Sequence, residues 1–536
     1  MSRKKSVADE RRLIWLLLVL LIAALAAGRL GFEFELPLTP VPPSATQTSL
    51  SSTFPTATPW SALTTSAPAT GTREIVILHT NDEHGRLMPA IEKGKAKGGA
   101  AQAEANWLAR GLKPAVKGAP VLLLSGGDSL TGDAISTWFE GESTIEIMNA
   151  MGYAASAAGN HDFDFGQEAL AARARQARFP YLAANVLRKG TQEVAAPFQP
   201  YALFKVNGVR VGIVGLALES TPRVTAIKNL EGLTFGDPEA ALRRWVPVVR
   251  EQGADLVVAL THICPQELSN LAERVQELDI SLFLGGHCHI ADTEQVGKAY
   301  IAASSAQWND YVLTRIAFDL AQRRVVAMEQ EIVKVSYAEG EAPQPAPETA
   351  RLLAKWEERT ELVLGEVIGY TASGLSQHSA QMHNLLVDSW LWAYPADVAI
   401  SNRGGFREGL KPGDITLGDI VVAFPFQNEL LEIELTGQDL ADAVRKTSQD
   451  IVVGGIKMSG ERLLLANGKP VNSKTKYRVL IIDYVYNNSK YPFKRYDSKP
   501  YETGIPWRQP VIDWIRAQHS DAQNPIEKHI APEERL

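Results

Sequence analysis

Between residues 75 and 289 the chain delivers a carboxylate or an imidazole at the end of one apolar run after another. Ile75–His79 leads into Asn81-Asp82-Glu83-His84-Gly85, and Val121–Leu124 leads into Gly126-Gly127-Asp128. An alanine-rich stretch precedes Gly159-Asn160-His161-Asp162-Phe163-Asp164. Leu256–Leu260 leads into Thr261-His262, and Ile280–Leu284 into Gly285-Gly286-His287-Cys288-His289. With Val209–Leu216, these runs have the length and flanking glycine of buried strands. Helical periodicity lies between them, around Gln102–Arg110 and Glu239–Gln252. The layout is α/β. In open α/β sheets the ligand site lies beyond the carboxyl ends of the strands, where all these side chains fall.

Each piece alone says little. Asp-x-His is more often a turn or a cap, and Thr-His a hydrogen-bonded strand end. Together they read as a metal site, and imidazole with carboxylate suits zinc, manganese or iron. Asp82, His84, Asp128, Asn160, His262, His287 and His289 outnumber the four ligands one zinc usually takes. Two ions about 3.5–4 Å apart, bridged by one carboxylate, would use them all and leave room for a water.

The rest of the 536 residues sets the context. A net charge of −7 gives no electrostatic footprint for nucleic acid. Two cysteines rule out a disulfide scaffold and four-thiolate zinc modules. Arg3, Lys4, Lys5, Arg11 and Arg12 precede an apolar run from Leu13 to Ala27, so residues 1–28 read as a signal peptide or an uncleaved membrane anchor. Either one exports the remainder of the chain, secreted or held at a membrane by that segment. Residues 29–72 read as a disordered stalk, since Pro, Ser and Thr supply 23 of the 36 positions from Pro37 to Thr72. A first α/β domain is expected over 73–335, and a linker with a connecting helix over 336–364, with Pro347 placed to start the helix. A second α/β domain is expected over 365–517 and a polar, frayed tail over 518–536. Oligomeric state leaves no mark in the sequence.

The motifs around Asp82, Asp128, Asn160, His262 and His287 resemble those of the metallophosphoesterases, and the forms Asn-Asp-x-His-Gly and Gly-Asn-His-Asp-Phe-Asp resemble the 5′-nucleotidase family. The resemblance runs from Arg73 to the end. It implies a two-sheet α/β sandwich metallophosphoesterase domain, joined by a helix to a C-terminal α/β substrate-binding domain. It also implies a metal-dependent phosphoric ester hydrolase with two divalent ions, zinc, manganese or similar. Asp82, His84, Asp128 and His289 would hold one ion, and Asp128, Asn160, His262 and His287 the other. A bridging hydroxide would attack phosphorus in line. His161, oriented by Asp164, would stabilise the transition state and assist the leaving group. Asp164 also suits the N-cap of a helix over Phe165–Arg173.

In the second domain, Asn402-Arg403-Gly404-Gly405-Phe406-Arg407 and Phe424-Pro425-Phe426-Gln427-Asn428 are similar to the family's substrate loops. They imply that Asn402, Arg407 and Phe426 bind substrate. Two features depart from the family. Gln377-His378-Ser379-Ala380-Gln381 carries no Arg where relatives often have one. The aromatic with Gly-Gly-Asp-Gly that closes the base pocket is replaced by Tyr484 and a dissimilar segment over 487–508, where Asp497 is a candidate for the missing carboxylate. Cys264 and Cys288 read first as buried small apolar side chains, with a disulfide between neighbouring strand ends as the alternative. The expected substrate is a small phosphoester, a nucleotide such as a 5′-monophosphate. The alternatives are a UDP-sugar, a 2′,3′-cyclic nucleotide or a sulfur ester of the thiosulfohydrolase kind, and a non-enzymatic surface binding protein with a vestigial site.

Overall fold

Two six-stranded sheets face each other in the first half of the computed structural model, which describes residues 71–92, 94–114, 120–338 and 340–536. In one sheet Thr72–Thr80, Val121–Ser125, Tyr153–Ala157 and Tyr181–Leu182 run parallel. Its edge is completed by the antiparallel hairpin Asp310–Asp319 and Arg324–Lys334. In the other sheet Val209–Leu216, Leu256–Thr261, Leu282–Leu284 and Ala299–Ala303 run parallel, with Tyr201–Val206 and Asp292–Val296 as antiparallel edges.

The alternation of strand side chains builds the layers. Ile75, Ile77, Leu122 and Leu124 meet Val211, Ile213, Val258, Leu260 and Leu282 between the sheets. The next residues along, Val76, Leu78 and Leu123, face outward onto Trp107, Ile145 and Met148. On the far side Val214, Val257 and Phe283 face the helices Pro238–Glu251 and Pro265–Arg274. Both faces of each sheet are covered, which is why the strands read as continuous apolar runs.

The helix Pro347–Leu364 opens with Pro at its first turn and buries Leu352, Leu353 and Trp356 against the first sheet's helical layer. The indole Nε1 of Trp356 donates to Glu146 at 2.7 Å. Ahead of the helix, Ser336–Ala338 pairs with Lys95–Lys97. The second half is built on a five-stranded mixed sheet, ordered Ile451–Gly454, Val398–Asn402, Lys476–Ile482, Glu429–Thr436 and Tyr501–Pro506. Ile400, Ile433 and Ile481 form its core with Leu386, Trp390 and Ile515 of the helices Ala380–Ala393 and Gln509–Gln518.

The expectation of a frayed tail is corrected. Ile526 and Ile530 are buried, and Glu527 accepts from Thr371 Oγ1 at 2.7 Å. Asn384 donates to the carbonyls of Ala531 and Glu533 at 2.8 and 2.9 Å, and Arg535 pairs with Asp388 at 2.7 Å. Two isoleucines and a paired arginine suffice to anchor a polar segment. The expected signal or anchor over 1–28 and most of the stalk lie outside the described residues. Among the described residues no helix is long and apolar enough to cross a membrane.

Candidate metal centre and substrate cavity

The loops that leave the carboxyl ends of five parallel strands converge at one end of the sandwich. Asp82 and His84 follow Thr72–Thr80, Asp128 follows Val121–Ser125, and Asn160 and His161 follow Tyr153–Ala157. His262 follows Leu256–Thr261, and His287 and His289 follow Leu282–Leu284. Asp82, His84, Asp128, His287 and His289 all lie in the left-handed region, with φ of 53, 47, 60, 73 and 55°. For residues with a Cβ this costs roughly 1–3 kcal/mol each and persists only where the surroundings over-determine the backbone. Gly159 shows how tight the loops are, because a Cβ there would collide with the Asp128 carboxylate.

Two clusters of donor atoms result. In the first, His289 Nε2 lies 3.2 Å from both Asp82 Oδ1 and His84 Nε2, and His84 Nε2 lies 4.0 Å from Asp82 Oδ1. His84 Nδ1 donates to the Thr131 carbonyl at 2.6 Å, which leaves the Nε2 lone pair facing the cluster. Burial depresses the His84 pKa to about 3, so the ring is neutral. In the second, His262 Nε2 lies 3.0 Å from Asp128 Oδ2 and 3.2 Å from Asn160 Oδ1, with His287 beside it. His262 Nδ1 meets the Gly126 carbonyl at 2.8 Å. Burial opposes a charge on His262, but the Asp128 and Asp82 carboxylates outweigh it and push its pKa up to about 10. Burial likewise opposes the charge on Asp128, yet His262 and His161 hold it well below the usual carboxylate range.

The residues fit a cation. Asp82 Oδ2 accepts from Asn81 Nδ2 at 2.6 Å and from the His287 backbone N–H at 2.8 Å. Its Oδ1 is buried with no hydrogen bond. A buried carboxylate oxygen left without a donor is costly unless a cation faces it.

Two buried acids in these loops have no role that the sequence alone discloses. Glu83 accepts from the hydroxyls of Thr80, Ser125 and Ser129 at 2.6, 2.9 and 3.1 Å. Asp162 accepts from the backbone N–H groups of Asp128, Ser129 and Gly159 at 3.2, 3.0 and 2.8 Å. Burial raises both to about 7. They tie neighbouring ligand loops together. Both sit inside the ligand motifs, so the signal is present, but spacing alone does not tell a loop tie from a ligand.

His161 meets Asp164 Oδ2 through Nδ1 at 2.8 Å, and its backbone N–H donates to Asp128 Oδ1 at 2.7 Å. Burial works against the protonated ring, but Asp164 and Asp128 outweigh it and hold the His161 pKa above its ordinary value. The Asp164 side chain faces His161 and caps no helix, since the following helix, Gly166–Gln176, has Phe165 at its N-cap. Phe426 lies stacked on the His161 ring, with centroids 5.7 Å apart and planes 22° apart.

A cavity of about 310 Å³ opens on this end. Asp128, Asn160, His161, Asp164, His287 and His289 line it from one half, and Asn402, Arg407, Phe426 and Tyr484 from the other. All four expected substrate residues are therefore brought to the expected metal ligands. The Arg407 guanidinium lies 5.8 Å from the Phe426 ring centroid, and Asn402 Oδ1 is buried without a partner. Thr225, Asn229 and Asn428 join the lining. The first two come from a loop with no motif in the sequence. Lys228–Asp483 at 2.7 Å and Arg86–Glu408 at 3.1 Å link the two halves beside the cavity.

Two sequence expectations are corrected here. Asp497 does not line the cavity; it accepts from the Glu434 backbone N–H at 3.0 Å. Cys264 and Cys288 are bonded as a disulfide, with Cα atoms 5.3 Å apart, rather than being buried thiols. The dissimilar segment over 487–508 supplies a support. Trp507 is fully buried, and its Nε1 donates to the Phe426 carbonyl at 2.7 Å. Its backbone N–H donates to the Asn428 carbonyl at 3.1 Å.

Residues 75–291 match the calcineurin-like phosphoesterase family, and residues 363–494 match the 5′-nucleotidase C-terminal domain. The chain carries both domains of the 5′-nucleotidase architecture, a calcineurin-like phosphoesterase followed by a 5′-nucleotidase C-terminal domain. It is 26% identical over 473 residues to a 5′-nucleotidase of Vibrio vulnificus, covering 77% of this chain and 83% of that one. In fold it is similar to a 5′-nucleotidase precursor from Thermus thermophilus, with a TM-score of 0.72 and 22% identity over 86% of this chain and 99% of that one. It is also similar in fold to the sulfate thiohydrolase SoxB of that organism, with a TM-score of 0.65 and 18% identity over 88% and 97% of the two chains. With its phosphoesterase domain matched and its relatives named 5′-nucleotidases, it is a metal-dependent phosphoester hydrolase.

Proposed function

We propose that the chain is an exported hydrolase of nucleotide phosphoesters, 5′-monophosphates first, working with two divalent ions. The observation that carries this reading is one cavity shared by both donor clusters, by His161 and Asp164, and by the four substrate-domain residues. Asp82, His84 and His289 would hold one ion and Asn160, His262 and His287 the other, with Asp128 serving both. Divalent ions bound there supply Lewis acidity, lowering the pKa of a water and neutralising phosphoryl oxygens.

The chain's own residues do the rest. Asp164 keeps a proton on His161 Nδ1 and favours the charged ring, so Nε2 can stabilise developing charge and give a proton to the leaving oxygen. Arg407 offers a bidentate fork to an anionic oxygen. Phe426 offers a π-face to a base, and Tyr484 stands at the same cavity. Export is supported by the basic and apolar N-terminal segment and by the disulfide.

The test is product formation by purified protein with Mn²⁺ or Zn²⁺ on a panel of substrates, read as phosphate from AMP and UMP, UMP from a UDP-sugar, the opened monophosphate from a 2′,3′-cyclic nucleotide and sulfate from a sulfur ester. Preferred turnover of the 5′-monophosphates is expected. A nucleoside-free substrate preferred over AMP would overturn the substrate assignment.

A further inference from the structure

The loop that carries His287 and His289 is held unevenly. Gly286 N–H donates to the Ile263 carbonyl at 3.0 Å, and His287 N–H donates to Asp82 at 2.8 Å. Beyond that point, among the described residues, no backbone hydrogen bond anchors His289 or Ile290, and both side chains are exposed. Both histidines nevertheless hold positive φ, 73 and 55°, which a free loop of non-glycine residues abandons. Between them sits Cys288, bonded to Cys264, which lies two residues after His262.

We infer that the Cys264–Cys288 disulfide is the positioning element of the metal centre, fixing His287 and His289 against His262 so that metal retention depends on its oxidation state. The inference rests on the two-ion reading above. Its geometry is direct: one covalent bond joins a loop that carries a ligand of the second cluster to a loop that carries one ligand of each. Cys288 is exposed, so the bond is open to a dithiol reductant. A thiolate of that reductant attacks one sulfur and forms a mixed disulfide. Its second thiol then displaces the protein thiol. Two electrons and two protons pass to Cys264 and Cys288, and the reductant leaves as a disulfide. The freed loop can relax from its positive φ, and His289, held otherwise by the contacts of its exposed ring with Asp82 and His84, moves first.

The test compares oxidised protein, protein reduced in place by a phosphine, and the C264S/C288S double variant. Readouts are bound Mn²⁺ or Zn²⁺ per chain, affinity in competition with a chelator, and circular dichroism. Expected is a metal affinity weakened about tenfold or more in the reduced protein and the variant, the size typical of lost support for a ligand, with unchanged secondary structure. In-place reduction keeps the test valid if the double variant misfolds. Equal metal retention by oxidised and fully reduced protein, with both thiols accounted for by titration, would overturn the inference alone. Oxidised protein that binds no metal would overturn the two-ion reading and this inference with it.

Discussion

The metal-ligand end and the substrate loops lie side by side around one cavity, yet they are specified in different ways. At the metal end each expected ligand follows its strand by one to five residues, and five of the seven are aimed by a positive φ. Asp82, Asp128 and His262 are almost wholly buried, and their neighbours leave them little choice of conformation. On the substrate side, Phe426 is placed by Trp507, which is 81 residues away, and faces the cavity beside Asn229, a residue of the other half. The expected metal ligands are thus oriented by their own short loops, whereas the expected substrate residue Phe426 is supported by contacts between distant segments.

Substitutions at the two sides should therefore differ in kind. The largest effect is expected at the metal end. His161→Ala should lower kcat by about 10²–10⁴-fold, the usual reach of a positioned acid. Asp128→Ala should do at least as much damage and lose bound metal as well. Steady-state phosphate release and metal analysis on folded variants check both. Phe426→Ala should act differently, raising KM for nucleotides by about tenfold, as expected for a lost base–aromatic contact of ~1–3 kcal/mol, while sparing phosphate release from a small aryl phosphate. An equal loss on both substrates would show that the ring serves His161 rather than the base.

Asp164→Asn separates orientation from charge. The amide can still meet His161 Nδ1 but no longer favours the imidazolium. The His161 pKa, held above its ordinary value by Asp164 and Asp128 against burial, falls. If the ring acts protonated, the alkaline limb of kcat/KM moves to lower pH, with a smaller loss at the optimum than in His161→Ala. An unmoved limb would assign the titration elsewhere. The smallest effect is expected for Trp507→Phe, which keeps an aromatic in the core but loses the bond to the Phe426 carbonyl. A bond worth about 1 kcal/mol corresponds to a KM increase of about fivefold with kcat retained. Nucleotide and aryl phosphate titrations of this variant set the scale of the indirect contribution.

The sequence makes the same division visible. The parallel strands around Val121, Val209 and Leu256 stand out because sheets covered on both faces leave unbroken apolar runs. The helix from Pro347 stands out through its proline and its Leu352, Leu353 and Trp356 face. Tyr153–Ala157 does not, because Ala and Ser carry little strand signal and only its neighbours make it one. The hairpin Asp310–Asp319 with Arg324–Lys334 is legible in principle, since its alternating burial has a period-two counterpart in Arg315-Ile316-Ala317-Phe318-Asp319. At the site, the seven expected ligands are readable from motifs, whereas Glu83 and Asp162 are visible as letters but not as loop ties. The pairing of Cys264 with Cys288, 24 residues apart, depends on two adjacent strand ends that only the assembled sheet defines. The tail misleads because Ile526 and Ile530 join the core of the second half and Arg535 pairs with Asp388, 147 residues upstream.

On the two-ion reading, each donor cluster at this end of the sandwich holds a divalent ion that hydrolysis requires. Metal content per chain, measured on oxidised protein alongside phosphate release as a chelator is titrated in, tests it most directly. About two ions per chain, with activity lost as they leave and restored by adding Mn²⁺ or Zn²⁺, is the expected result. Full activity in protein stripped of metal, or a single ion that Asp82→Ala and His262→Ala remove equally, would contradict it.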